Sequence, residues 1–162
     1  MLRVLTVIVA FFSTPLAAET SVQNNLDGPC ISNGGPHNCV ENFACIGEQG
    51  RWFEGRAIGW NSGTLIGRTN DGVNCNGNWW VEPSGIGRAD MMCEDGTTAR
   101  VVSEYQDYNT GTTIGVGTTG DGEKVRSFSG RNVIDFLNND GVSVLQCGDT
   151  EIEIDGGGAP IA

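Results

Sequence analysis

The sequence predicts an all-β protein: an antiparallel meander of about eight or nine strands, coiled or closed into a barrel-like sheet, stapled by disulfides, with one short helix near 132–138. Three observations carry this. Apolar and polar residues alternate over short stretches, as in Glu151-Ile152-Glu153-Ile154-Asp155, and period two marks half-buried strands. Asp-Gly pairs recur at Asp71-Gly72, Asp95-Gly96, Asp121-Gly122 and Asp140-Gly141. Such pairs suit two-residue hairpin turns because both positions tolerate positive φ. Finally, 25 glycines would allow disorder, but four Trp, six Phe and six Cys supply a core and covalent staples.

Residues 1–18 read as a cleavable secretory signal. Arg3 precedes an apolar run from Val4 to Phe12, and Leu16, Ala17 and Ala18 stand before the polar Glu19. Cleavage is expected after Ala18, or after Ala17. The run is too short to span a bilayer and no second one follows, so no membrane span is expected. The mature chain, of about 144 residues, fits one domain with a modest core. It should be exported, periplasmic or extracellular, where thiols pair as disulfides. Residues 19–49 are rich in Asn, Gly and Pro and hold Cys30, Cys39 and Cys45, which predicts loops tied by disulfides. Residues 50–155 read as a single β domain, and 156–162 as a Gly-rich tail.

Within that domain, strands are expected near 51–60, 64–70, 73–82, 86–93, 97–106, 111–119, 123–129, 142–147 and 150–155. Eight or nine of them must curl or close to protect their edges. Glycines inside them, such as Gly55, Gly59, Gly67, Gly115 and Gly117, permit strong coiling. Alternation puts Ala99, Val101, Ser103 and Tyr105 on one face of a strand. The expected core is Val101, Tyr105, Ile114, Val116, Val144, Ile152, Ile154 and part of the Trp set. The helix rests on Asn132 as cap, Asp135 in the first turn and the apolar Val133, Ile134, Phe136 and Leu137. It is expected to plug or cover an end of the sheet.

One disulfide follows from turn geometry. Glu82-Pro83-Ser84-Gly85-Ile86 fits a three-residue hairpin loop with Gly in the left-handed position. Closure there sets residue 82 opposite 86 and, further along the ladder, Cys75 opposite Cys93. Cys147 should reach back to Cys30, Cys39 or Cys45, with the pairing of these four open. No Cys-x-x-Cys spacing supports zinc.

Residues 63–79, with the Asp71-Gly72 turn followed by Gly77 and Trp79, resemble a MORN-type hairpin unit, although Cys75 stands where that family carries an aromatic. The resemblance implies a twisted hairpin meander and no functional residue. Residues 93–102, Cys-Glu-Asp-Gly-Thr-Thr-Ala-Arg-Val-Val, and the Ser127-Phe128-Ser129-Gly130 stretch resemble small periplasmic lysozyme inhibitors. That resemblance implies a disulfide-bonded antiparallel barrel acting on a cationic hydrolase.

The net charge of −11, near −12 once Arg3 leaves with the signal, disfavours nucleic acid and anionic lipid and would attract a cationic protein. Gly115-Val116-Gly117-Thr118-Thr119-Gly120 matches the dinucleotide fingerprint as a string, but no helix is expected to follow it. His37 is the single histidine and sits in a Gly-Pro loop, so neither a triad nor a metal site forms around it. Glu94-Asp95, Asp121 with Glu123, and Glu151, Glu153 and Asp155 read as solvated faces or loose cation loops. Trp79 and Trp80 are adjacent, so a strand points them to opposite faces. One should be core, and the other free to stack on a glycan or partner protein. No cofactor, metal or catalytic residue is expected. The reading is an exported, non-enzymatic binding or cell-envelope-associated protein. Its alternatives are an inhibitor of a cationic hydrolase such as lysozyme and a small carboxylate-dependent hydrolase.

Overall fold

The computed structural model describes residue 26, residues 28–107 and residues 111–154. The expected signal, residues 1–18, and the expected tail, 156–162, lie outside the described residues. Eight antiparallel strands form a closed barrel in sequence order: β1 (Cys39–Ile46), β2 (Arg51–Trp60), β3 (Ser62–Thr69), β4 (Asn74–Val81), β5 (Gly87–Cys93), β6 (Thr98–Asp107), β7 (Thr112–Thr119) and β8 (Lys124–Gly130). β8 returns to pair with β1, so no edge is left in this sheet. A short helix α1 (Val133–Phe136) follows. A separate three-stranded sheet then forms from β9 (Asn138–Asn139), β10 (Val142–Cys147) and β11 (Thr150–Ile154).

The expectation of loops over 19–49 is corrected here. Residues 39–46 are β1, the strand that closes the barrel, so the β domain begins ahead of residue 50. Phe43, Ala44, Cys45 and Ile46 are all buried, because β1 is covered on both faces, and a strand covered twice loses the period-two signal. The last two expected strands are present but leave the meander. They form the outer sheet with β9 and are joined to β1 by the Cys45–Cys147 disulfide.

The core is consequently divided by the barrel wall. Inside, Ala44, Ile46, Phe53, Cys75, Cys93, Ala99 and Val125 fill the half of the lumen near the β1–β2, β3–β4, β5–β6 and β7–β8 turns. Outside, Phe43, Cys45, Phe128, Val133, Leu145, Cys147, Ile152 and Ile154 pack the outer sheet and α1 against β1 and β8. The helix therefore lies on the outer wall rather than plugging an end, and Asn132 makes no side-chain cap bond. Arg126 sits 5.1 Å from the Phe128 ring centroid, a cation–π contact beside that layer.

Three expected core residues move; Val116, half-buried between Val102 and Arg126 in the ladder, joins neither packed cluster. Ser103 pairs with Gly115 but Tyr105 pairs with Ile114, so Glu104 is an extra residue and forms a bulge. The bulge turns Tyr105 away from the face shared by Ala99, Val101 and Ser103 and leaves it 52% exposed. Val144 is half-buried, and its neighbours Ser143 and Leu145 face the layer below instead.

The Asp-Gly pairs use two different turns. Asp140 and Gly141 both take positive φ, 52° and 92°, and close a two-residue loop between Asn139 and Val142. At the other three pairs only the glycine has positive φ. There the loop holds three residues, as where Thr69 and Val73 pair around Asn70-Asp71-Gly72 and Cys93 and Thr97 pair around Glu94-Asp95-Gly96. The carboxylate stabilises the turn locally: Asp95 Oδ1 accepts from the Thr97 N–H at 2.9 Å, and Asp71 accepts from the Thr69 hydroxyl.

Candidate functional site

The half of the lumen away from those acidic turns is open. A cavity of about 610 Å³ enters between the β2–β3, β4–β5 and β6–β7 connections and the loop ahead of β1. Strand register explains its depth. The face that carries Cys75 and Cys93 inward places Trp79, Ala89, Val101, Gly115 and Ser127 inward as well, nearer the mouth. Gly115 is the one glycine among these positions, and its neighbours close over it. A Cβ at Gly115 would meet both Val101 and the Ser127 hydroxyl. The Phe53 ring lies over Gly55 and Gly67, where a Cβ would strike it, within the packed half of the lumen.

The two walls of the cavity differ in chemistry. Ala57 on β2, Leu65 on β3, Trp79 on β4 and Ala89 on β5 make an apolar wall. Ser103 on β6, Thr113 on β7, Ser127 and Ser129 on β8 and Asn42 on β1 make a hydroxyl- and amide-bearing wall. The Trp79 indole N–H donates to the Ile58 carbonyl at 3.3 Å. Trp79 pairs with Gly63, so the indole reaches β2 across a position that has no side chain.

The mouth is framed by the loop before β1. The Cys30–Cys39 disulfide ties it, and the buried Asn38 organises it, with Oδ1 accepting from the Ser32 hydroxyl at 3.1 Å and the Asn33 N–H at 3.0 Å. Trp60 packs over Gly34 and is 55% exposed. Ile31, Val81 and Ile86 are exposed around the same rim.

The structure brings some sequence-selected residues together and scatters others. Trp79 and Trp80 are both half-buried and both border the cavity, so neither is sealed in a core. Cys75 and Cys93 stand opposite each other in the ladder and are bonded, inside the packed half. Cys30–Cys39 and Cys45–Cys147 are the other two disulfides. His37 lies exposed in the loop before β1. Gly115 and Gly117 lie in β7, which runs into a turn and β8, so the dinucleotide fingerprint has no helix behind it. The serines and Asn42 are not legible as a set, because one or two polar residues on a strand carry no local signal. Only the barrel's closure brings β1 and β6–β8 together.

Charge is segregated. Asp71, Asp95 and Glu48 gather at the closed end, where Arg51 binds Asp95 at 2.7 Å and approaches Asp71 at 3.7 Å, and Lys124 approaches Glu48 at 3.4 Å. The Thr97 backbone N–H, and next the Arg51 guanidinium, lower the Asp95 pKa to about 2. Burial raises the Glu41 pKa against the pull of Arg56 4.0 Å away, but this pair sits on the barrel's outer face. Among the described residues, no Asp, Glu, His or Cys borders the cavity, and no group of three or more such side chains is placed to hold a metal ion. No described helix is long and apolar enough to cross a membrane.

Several designed barrels are similar in structure. A redesigned beta barrel bound to DFHBI is 16% identical with a TM-score of 0.45, over 57% of this chain and 95% of that one. A de novo designed fluorescence-activating beta barrel is 16% identical with a TM-score of 0.46, over 57% and 90%. A second redesigned beta barrel bound to DFHBI is 18% identical with a TM-score of 0.45, over 57% and 92%. No protein-family model matches the chain, and no curated protein matches it.

Proposed function

We propose that the protein is an exported, non-enzymatic binding protein that holds a small molecule in the open half of its barrel. The carrying observation is the cavity of about 610 Å³, walled by apolar and uncharged polar side chains above a packed floor. Its size falls in the range of about 300–1,000 Å³ that small-molecule sites occupy. Export is supported by the signal-like residues 1–18 and by the commitment of all six cysteines to disulfides. A carboxylate-dependent hydrolase needs a carboxyl of raised pKa in a cleft. The raised carboxyl here, Glu41, is on the outer face, which leaves that reading without a residue at the cavity.

The test is titration with the neutral dye N-phenyl-1-naphthylamine, following dye emission and tryptophan quenching. Saturable one-to-one binding is expected, and Ala89→Phe, which fills the lumen beside Trp79, should abolish it without lowering the thermal midpoint. Absence of saturable binding, or equal binding by the Ala89→Phe variant, refutes the proposal.

Inhibition of a cationic hydrolase is a second reading, favoured by the acidic closed end. It requires that the protein slow lysozyme at low ionic strength and lose the effect as salt rises.

A further inference from the structure

From the two unlike walls of the cavity we infer its ligand class: an uncharged molecule with a flat apolar body and a hydrogen-bonding edge, selected by Ser103, Ser127 and Ser129. This rests on the lumen-binding proposal above and deepens it.

The apolar wall ends on the half-buried Trp79, whose indole is held in place by its bond to Ile58. An anchored indole presents a fixed flat surface, and a planar ring or the CH face of a saturated ring packs best on it. The facing wall offers hydroxyls. Ser129 pairs with Thr113 on one side and Asn42 on the other, and Ser127 pairs with Gly115, which in turn pairs with Ser103. These inward groups therefore form one contiguous patch. None of these side chains makes a hydrogen bond to a described residue, and all remain half-buried and open to the cavity. Their bonding capacity is free for a ligand or for water.

Charge is the other selector. No inward residue of the open half is charged. Arg88, at the mouth, is paired with Glu82, and Arg131 stands exposed at the rim. A cation entering the lumen would lose hydration without gaining a counter-charge, and an anion would meet one only at the rim, at Arg131 and the paired Arg88, and none in the depth of the lumen. A neutral molecule lacking polar atoms would displace water from the hydroxyls and leave them unpaired, which also weakens binding. An uncharged ligand with a polar edge satisfies both walls.

Three matched fluorescent probes test this: pyrene, 1-pyrenemethanol and 1-pyrenesulfonate. The expected order of affinity is alcohol, then pyrene, then sulfonate. The alcohol should exceed pyrene by about five- to tenfold, the worth of one neutral hydrogen bond. In the triple variant Ser103→Ala, Ser127→Ala, Ser129→Ala the alcohol should fall to within about twofold of pyrene, while pyrene itself binds at least as tightly as before, because no hydroxyl is left unpaired beside it. Retained or improved pyrene affinity then shows that the variant is folded and its lumen intact. If no probe binds the native protein, the lumen-binding proposal itself fails. If the neutral probes bind equally, if the sulfonate binds tightest, or if the alcohol's advantage survives in the triple variant, the lumen binds but this inference is wrong.

Discussion

Phe53→Ala should destabilise the barrel and leave its cavity intact. Phe53 is 1% exposed and packs inside the closed half of the lumen, over Gly55 and Gly67. An aromatic side chain buries roughly 150–250 Å², and roughly 25 cal/mol per Å² gives about 4–6 kcal/mol for the whole ring. Alanine recovers part of this, and buried Phe→Ala changes cost about 3–5 kcal/mol. The glycines beneath the ring have no side chains to move into the space, so little of the loss can be relieved by repacking. With a urea m-value of about 2 kcal/mol per M, a loss of about 4 kcal/mol lowers the midpoint by about 2 M. Urea unfolding followed by tryptophan emission measures the shift directly. A second readout separates core from cavity: the variant should still bind N-phenyl-1-naphthylamine as the native protein does, because Phe53 does not border the cavity. A midpoint shift below about 0.5 M, or loss of dye binding by the folded variant, would refute the assignment of Phe53 to the packed half.

Three further outcomes follow from other parts of the molecule. Replacing Cys45 and Cys147 by Ala opens a bridge between positions 102 residues apart, for which chain entropy predicts a loss of about 4–5 kcal/mol; hydrogen exchange should show β10 and β11 amides losing protection before those of the barrel. The Asp95 carboxyl should titrate near pH 2, and because its folded pKa is lowered, its contribution to stability is present above about pH 4 and disappears as pH falls to about 2; carbon-detected NMR of Arg51→Leu should show that pKa rise while remaining below the usual value, since the Thr97 N–H is still there. Asp140→Val should cost about 1–2 kcal/mol in thermal unfolding, because its φ of 52° is strained for a β-branched residue, whereas Asp140→Asn should be close to neutral.

What the sequence determined by itself is what depends on near neighbours. Strands between 51 and 130 are legible because their inner and outer faces differ and turn residues punctuate them. The Glu82–Ile86 loop closes with its Gly85 at φ 87°, so counting outward brings Cys75 to Cys93. Hairpin register is local, and one turn sets every pair along it. Tertiary structure decided the rest. β1 is hard to read because its two faces are buried by different partners, Ala44 and Ile46 inside the barrel and Phe43 and Cys45 beneath the outer sheet. The same wall divides Val101 from Ile114, which alternation alone would place in one core. The bulge at Glu104 reverses Tyr105, and nothing in the strand's own pattern announces it. The cavity is the least local feature of all. Its volume is the sum of small inward residues spread over eight strands, and Asn42 joins its hydroxyl wall only because β8 closes against β1.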